Sequence, residues 1–262
     1  MHPELFHLGP LQVRSFGLMI ALAFLVGTWL GLRESGRLGL DEDKVVSVIL
    51  AAMVAAVLGA RLLFVVEHIE DFVREPASVL AVWQGGLTLY GGVVAGVLAG
   101  VVAAGRLGLP RWVVADALAP SLALGTAFGR VGCFLNGCCY GRPTTLPWGV
   151  VFPAGSPAVL EFGDTPVHPS QLYNVAAGLA MFAVMWAVRK RIRPAGVLFW
   201  GFLVAFAVVR VPIDMTRTYE ANAIVLRRPF ELTESQITSF ALALFGVLMI
   251  LRLRRAAAAP RT

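Results

Sequence analysis

Seven long apolar stretches follow one another along the chain, separated by shorter polar connections. They cover roughly residues 14–32, 46–66, 87–105, 112–131, 171–188, 195–215 and 235–251. The hydrocarbon core of a bilayer is about 30 Å thick, so a helix of about 20 mostly apolar residues spans it. The pattern therefore predicts an all-α fold: one integral-membrane domain over residues 1–262, built as a polytopic bundle of about seven transmembrane helices.

Composition supports a protein whose solvent is mostly lipid. Hydrophobic residues make up 58% of the chain and charged residues only 15%, whereas soluble domains carry about a quarter charged residues. The net charge is +6, but the basic residues are scattered between apolar stretches. Anionic lipid and topology signals account for that distribution better than nucleic acid does. We therefore expect a membrane partner and no nucleic acid.

The basic residues also predict an orientation. One side of a seven-helix topology receives 13 of them and the other side six, and cytoplasmic loops carry the excess. The C-terminus is then cytoplasmic, and the N-terminus and the connections 67–86, 132–170 and 216–234 lie outside. The richer side holds Arg33, Arg37, Lys44, Arg106, Arg111, Arg189, Lys190, Arg191, Arg193, Arg252, Arg254, Arg255 and Arg261, and the poorer side holds Arg14, Arg74, Arg142, Arg217, Arg227 and Arg228.

Three arginines fall within or at the ends of apolar stretches instead of in loops. Arg61, Arg130 and Arg210 each cost several kcal/mol in lipid unless they are paired, reach the interface or line a wet cavity. In the predicted topology all three lie toward the outer leaflet, which suggests a shared anionic ligand such as a phospholipid headgroup. Arginine binds phosphate bidentately and keeps its charge. Asp214 and Arg217 share a helical face with Arg210, so a local ion-pair ladder is an equal alternative to substrate contact.

All three cysteines of the chain lie in one stretch, GRVGCFLNGCCYGRPT, from Gly129 to Thr144. Zinc sites usually pair cysteines with a second pair or with histidines, and the sequence offers neither. We therefore expect no metal and no cofactor. Either a disulfide between Cys133 and Cys138 or buried free thiols fits the spacing. Phosphate-binding loops, dinucleotide-binding glycine patterns and nucleophile elbows are absent from the sequence.

Four segments carry a resemblance to a known family. GRVGCFLNGCCYG, GGLTLYGG (85–92), HPSQLYNVAAG (168–178) and FAVVRVPIDMTR (206–217) resemble, in order, motifs of the prolipoprotein diacylglyceryl transferases. The resemblance implies transfer of a diacylglyceryl group from phosphatidylglycerol to the lipobox cysteine of a prolipoprotein, with release of glycerol phosphate. It also implies that the prolipoprotein signal peptide binds to the chain as a partner. It also implies a multi-pass protein of the bacterial inner membrane, with its active site toward the periplasmic leaflet.

The resemblance assigns roles to particular residues. Arg130 and Arg210 match the family's essential arginines and are expected at the phosphate, Asn136 at the headgroup, and Tyr90 near the incoming thiol. His168 is either a substrate contact or part of a turn capped by Ser170. The remaining candidates for substrate binding are Gly129, Cys133, Cys138, Gly91, Gly92, Asp214, Arg217, Gln171, Tyr173 and Arg61.

The sequence departs from the family at polar positions. Cys133 and Cys138 replace the signature Asn and Glu, Tyr90 stands where a His is usual, and Phe206 and Phe16 replace tyrosines. Two interpretations stay open at this point. Either the same reaction uses a rearranged proton path, or the chain is a paralogue with another acceptor, another donor or lipid binding alone. A transporter is a weaker alternative, because the sequence contains no internal repeat.

Overall fold

Seven long helices occupy the positions of the seven apolar stretches, which confirms the predicted all-helical architecture. The computed structural model describes residues 4–8, 11–81, 85–218, 224–226 and 232–258. Within this part of the chain, seven helices are long and apolar enough to cross a membrane. They are α1 (Ser15–Arg37), α2 (Glu42–Glu67), α4 (Leu89–Arg106), α5 (Arg111–Asn136), α7 (Ser170–Val188), α8 (Val197–Asp214) and α9 (Glu234–Ala258).

Short elements fill the connections between these helices. A helix α3 (Ile69–Arg74) and a 3-10 helix (Pro76–Leu80) follow α2, and α6 (Pro157–Phe162) lies between α5 and α7. Two antiparallel hairpins were not predicted from the apolar pattern. They pair β1 (Glu4–Leu8) with β2 (Leu11–Arg14), and β3 (Ile224–Leu226) with β4 (Leu232–Thr233).

Several helices continue beyond their apolar stretches. The last turn of α1 buries Glu34 and Ser35, and the Nε of Arg37 donates to the Glu34 carboxylate at 2.7 Å. This polar turn belongs to the helix because its side chains find partners inside the protein. α5 likewise runs to Asn136, five residues past its predicted end, and α9 runs to Ala258.

Polarity is distributed as expected for a protein surrounded by lipid. Leu58, Leu62 and Leu98 are 63%, 67% and 60% exposed, although all three lie in the middle of long helices. Ser170 and Gln171, by contrast, are fully buried. Polar side chains inside and apolar side chains outside reverse the usual pattern of soluble proteins. The chain is therefore a multi-pass membrane protein.

The chain divides into two compact units, the first formed by residues 1–31 and 118–262 and the second by Leu32–Ala117. In the second unit, α2 and α4 pack together through small residues, which allow helices in lipid to approach closely. A Cβ at Gly91 would overlap the carbonyl oxygen of Gly59, and one at Gly92 would lie 3.1 Å from the Ala56 carbonyl oxygen. Both glycines therefore allow the two backbones to approach, and substrate contact by either stays a prediction.

The first unit packs the start of α1 with most of α5 and with α7, α8 and α9. A Cβ at Gly132 in α5 would lie 3.0 Å from the Phe16 ring, so the glycine permits a close approach of α1. A cluster of buried residues joins α5 to α7 and α8 through Ala123, Met185 and Phe202. The predicted orientation relies partly on Arg227, Arg228 and Arg261, which lie outside the described residues, and it stays a prediction.

Candidate active site

The cysteine-containing stretch begins inside α5 and continues into a tight loop. Gly129 and Gly132 lie within the helix and do not interrupt it. The helix ends after Asn136 because Gly137 takes a φ of 74°, a conformation that favours glycine. Cys139 also lies in the left-handed region, with φ 63°. The backbone N–H of Cys138 donates to the carbonyl of Cys133 at 3.1 Å and closes the turn.

Backbone hydrogen bonds join this loop to two other helix ends. The N–H of Gly141 donates to the carbonyl of His168 at 2.9 Å, just before α7, and the His168 N–H donates to the carbonyl of Arg142 at 3.0 Å. The N–H of Arg142 donates to the carbonyl of Thr216 at 2.9 Å, just after α8. The hydroxyls of Ser170 and Thr216 are 2.7 Å apart. Three chain segments far apart in sequence are thus held at one end of the first unit.

The three cysteines come together in space. The sulfur atoms of Cys133, Cys138 and Cys139 all lie within 4.8 Å of one another, and the side chains are partly buried. All three are free thiols, so the structure contains no disulfide between Cys133 and Cys138. The pKa of Cys139 is lowered, first because the thiols of Cys133 and Cys138 donate hydrogen bonds to its sulfur, and further by the charges of Arg217 and Arg130.

Arg130 lies on the last turns of α5, beside this cluster. Its side chain is partly buried, and its charge acts on the Cys139 sulfur. Among the described residues, its guanidinium forms no hydrogen bond and no ion pair. Asn136, at the end of the same helix, contributes a hydrogen bond toward the Cys138 thiol. Gly129 precedes Arg130 and leaves open space, because a Cβ there would meet only Ile20 at 3.9 Å.

Arg210 is held in place by acidic and hydroxyl groups near the end of α8. Its Nη2 lies 3.5 Å from Oδ1 of Asp214, and its Nε donates to the Ser235 hydroxyl at 3.0 Å. Asp214 is fully buried and also accepts from the Thr233 hydroxyl at 2.6 Å. The local ion pair between Arg210 and Asp214 is confirmed. Arg217 joins the cysteine loop instead, through an isolated bridge to Gly141.

The segment before α7 contributes a second group of polar side chains. The Nδ1 of His168 and the hydroxyl of Tyr173 are 3.1 Å apart, and the indole N–H of Trp148 donates to that hydroxyl at 2.8 Å. Ser170 does not cap the helix, because its hydroxyl contacts Thr216 instead. The Nε2 of Gln171 donates to the Cys138 carbonyl at 2.8 Å, and within the described part of the chain nothing donates to its buried Oε1.

Arg61, in the second unit, has a structural role that the sequence does not reveal. Its guanidinium donates to the carbonyls of Ser78, Val79, Gly85 and Gly86, at distances of 2.8 to 3.0 Å for the last three. It also lies 5.1 Å from the centre of the Phe72 ring and is 7% exposed. These four donated bonds occupy most of the guanidinium N–H groups and leave few for a phosphate. The contacts thus indicate a structural role, and direct substrate contact by Arg61 stays a prediction without support from them.

Tyr90 lies in the first turn of α4, in the same unit, and is 53% exposed. Its neighbours Gly91 and Gly92 face α2, as described above. The exposed hydroxyl leaves Tyr90 accessible, and its role near the incoming thiol stays a prediction.

Sequence reasoning missed the partners that orient these side chains. They are Ser235, Thr233, Ser170, Thr216 and Trp148. One of them carries a recognisable signal. The segment TESQ matches a capping box, in which Thr233 and Gln236 exchange hydrogen bonds at 3.2 and 3.4 Å at the start of α9. The other contacts join distant segments and leave no local pattern.

Comparison with known proteins shows what the chain is similar to. A family model described as prolipoprotein diacylglyceryl transferase matches residues 3–252. A phosphatidylglycerol–prolipoprotein diacylglyceryl transferase of Geobacter sulfurreducens is 37% identical, over 98% of this chain and 97% of that protein. A protein of the same name from Nitratidesulfovibrio vulgaris is 36% identical over 98% and 96%. One from Mannheimia succiniciproducens is 34% identical over 95% and 91%.

Proposed function

The chain belongs to the prolipoprotein diacylglyceryl transferase family, and we propose that Arg130 and Arg210 bind the phosphate of its lipid donor. The donor in this proposal is phosphatidylglycerol, and the acceptor is the lipobox cysteine of a prolipoprotein. The reaction forms a thioether at the glycerol carbon and releases glycerol phosphate. The bacterial inner membrane is the proposed location, with the site open to the periplasmic leaflet.

The observation that carries the role of Arg130 is that no carboxylate in the described part of the chain pairs with it. The guanidinium is partly buried and forms no ion pair with any residue that the structure describes. A cation in such a position is stabilised by an anionic ligand. Phosphate is well suited, because its oxygens match the two parallel N–H donors of arginine.

Arg210 is suited to the same ligand in a different way. Asp214 and Ser235 hold its Nη2 and Nε, so the guanidinium is oriented before any ligand arrives. Preorganised charge stabilises a developing anion at little reorganisation cost. As the C–O bond to phosphate breaks, the leaving glycerol phosphate gains negative charge. Two fixed cations therefore favour the transition state over the bound lipid.

An apolar groove along α8, the helix that carries Arg210, is the proposed place for an acyl chain. It runs between α8 and α9, and its lining includes Val208, Pro212 and Phe240. The groove is open to the lipid-facing surface, and Val211, which follows Arg210 in the chain, also lines it. A diacylglyceryl donor needs apolar surface near its phosphate site, so a groove on the same helix as Arg210 supports the proposal.

Complementation tests the proposed function. The chain is expressed in cells depleted of their own transferase, and a lipoprotein substrate is analysed by mass spectrometry. We expect the mass increase of one diacylglyceryl group, and no increase for Arg130→Ala. Expression and membrane insertion are checked for both forms by immunoblotting of membrane fractions. An inserted protein that gives no mass increase refutes the transferase proposal and favours a lipid-binding paralogue.

A further inference from the structure

The strongest unexplained feature is the set of three thiols at the end of α5. The Sγ atoms of Cys133, Cys138 and Cys139 lie within 4.8 Å of one another. Tetrahedral zinc binds thiolate sulfur at about 2.3 Å, which requires sulfur atoms to lie about 3.8 Å apart. The sulfur atoms would therefore have to approach one another by about 1 Å at most. The sequence predicts no metal because it offers no second cysteine pair and no partnering histidines. In the structure, however, the sulfurs of the adjacent Cys138 and Cys139 lie on the same side of the loop as that of Cys133, and Cys139 has a left-handed backbone.

We propose that Cys133, Cys138 and Cys139 bind one Zn²⁺ ion, and that the acceptor cysteine of the prolipoprotein occupies the fourth coordination position as a thiolate. The proposal rests on the proposed transferase function, since it names the acceptor of that reaction. It assigns the cysteine cluster to activation of the nucleophile. The arginines keep their role at the phosphate.

The composition of the cluster favours a catalytic zinc site over a structural one. Structural zinc sites are closed by four protein ligands, whereas catalytic sites have three and leave one position open. No fourth Cys, His, Asp or Glu joins the three thiols in the described part of the chain. Thiolate ligands select soft ions such as Zn²⁺ and Cu⁺. Alkylation of a thiol involves no change of oxidation state, so an ion without redox chemistry is the appropriate choice.

The surroundings of the cluster suit an ion of this kind. Three thiolates and Zn²⁺ carry a net charge of −1, and the nearby charges of Arg130 and Arg217 offset it. Gln171 is fully buried and fixes the Cys138 carbonyl at 2.8 Å, which holds the loop in position. Its Oε1 has no donor among the described residues.

The reaction step balances without any further reagent. Binding of the acceptor thiol to the ion releases its proton to water, because a coordinating thiol is deprotonated outright. A sulfur electron pair then forms the C–S bond to the glycerol carbon. The C–O bond to phosphate breaks, and its electron pair leaves on the phosphate oxygen. The product thioether is a weaker ligand than the thiolate, so it dissociates and leaves the ion on the three cysteines. No separate protein base is required.

Metal content provides the first test, and it does not depend on activity. The full-length protein is purified in detergent with a thiol-free reductant, and its zinc is measured by plasma mass spectrometry. We expect one equivalent in the wild type and none in the variant with all three cysteines changed to Ala. Tyr140→Phe is the matched control, because Tyr140 lies next to the cluster but bonds to Glu161, and it should keep one equivalent. Absence of zinc in the wild-type protein, or an intact disulfide, overturns the proposal.

The second test asks whether the substrate thiol joins the ion. Cobalt replaces zinc, and thiolate-to-Co²⁺ charge-transfer absorption is recorded with a lipobox peptide and with its Cys→Ser analogue. The band should gain about one third in intensity with the cysteine peptide only, since a fourth thiolate joins three. An unchanged band refutes the substrate-ligand step. In that case a bound ion would have a structural role at most.

Removal of the metal separates this proposal from the transferase function. We expect a chelator to reduce diacylglyceryl transfer at least tenfold, and added Zn²⁺ to restore it in the wild type but not in the cysteine-free variant. Full transfer by metal-free protein overturns zinc activation and supports the transferase function. Failure of both the metal-loaded and the metal-free forms to transfer the group refutes the transferase function, even where zinc is bound.

Discussion

Replacing Arg130 by Lys is the sharpest perturbation of the proposed phosphate site. The substitution keeps the positive charge but loses the two parallel N–H donors that match a phosphate. A hydrogen bond to a charged group contributes about 1.5–3 kcal/mol. Since 1.36 kcal/mol corresponds to a tenfold change in rate, kcat/KM should fall by about 10- to 150-fold. The reason is the loss of one charge-assisted bond in the transition state.

The stability of this variant should hardly change. Arg130 forms no hydrogen bond or ion pair with other residues in the described ranges, so its replacement breaks no internal contact of that kind. We expect the melting temperature in detergent to match the wild type, because substitutions away from such contacts alter stability by about 0.5 kcal/mol or less. A loss of activity without a loss of stability therefore identifies a ligand contact.

The assay measures transfer of a labelled diacylglyceryl group from phosphatidylglycerol to a lipobox peptide, over a range of donor concentrations. Arg142→Lys is the matched control, because this exposed loop arginine joins the site mainly through its backbone N–H and carbonyl, which Lys retains. Its side chain adds one long hydrogen bond, in which Nη2 donates to the Arg217 carbonyl at 3.4 Å. The control should keep wild-type kcat/KM. Full activity of Arg130→Lys would remove Arg130 from the phosphate role.

Three further predictions follow from packing and charge. Asp214→Asn leaves Arg210 without its carboxylate in a buried pair, and thermal unfolding should show a loss of about 3 kcal/mol. Gly91→Ala forces apart the packed helices α2 and α4 and should lower the free energy of unfolding by about 1–3 kcal/mol in the same thermal measurement. Gly100→Ala is the control: its Cβ would have an ordinary 3.6 Å contact, so the variant should be as stable as the wild type or slightly more stable. Ala243→Trp fills the groove between α8 and α9 and should raise the KM for phosphatidylglycerol in the transfer assay, with little change for the peptide.

The seven helices were predictable because each depends on a local property, a run of apolar residues long enough to span lipid. Their ends were less predictable, because helix continuation depends on partners that the run does not contain. Arg37 extends α1 by bonding to Glu34, and Gly132 stays helical because α1 packs closely against it. Gly137, and not the earlier glycines, ends α5. Glycine therefore marks either close packing or a helix end, and sequence alone does not separate the two.

The candidate site was predictable in its charged residues and not in its geometry. An arginine within an apolar run is easily recognised as a candidate, because a charged side chain in lipid costs free energy and is usually paired or functional. The contacts that then distinguish these arginines come from distant segments. Arg61 binds the carbonyls of a loop that begins 17 residues later, and Arg210 binds Ser235, 25 residues away. Arg61 and Arg210 thus have similar positions near helix ends, but the first has a structural role and the second a proposed catalytic role.

Two of the departures that the resemblance indicates fall in the cysteine cluster. In the resemblance of the sequence motifs, Arg130, Arg210 and Asp214, the residues proposed for the phosphate site, stand at matching positions. In the same resemblance Cys133 and Cys138 stand where the family has Asn and Glu, and the structure brings both sulfurs together with Cys139. Stabilising a leaving group requires fixed cations, whereas activating a thiol requires only that its proton be lost, by a base or by a metal. The first requirement has few chemical solutions and the second has several. A chain in this family can therefore change its means of thiol activation while its phosphate residues stay the same.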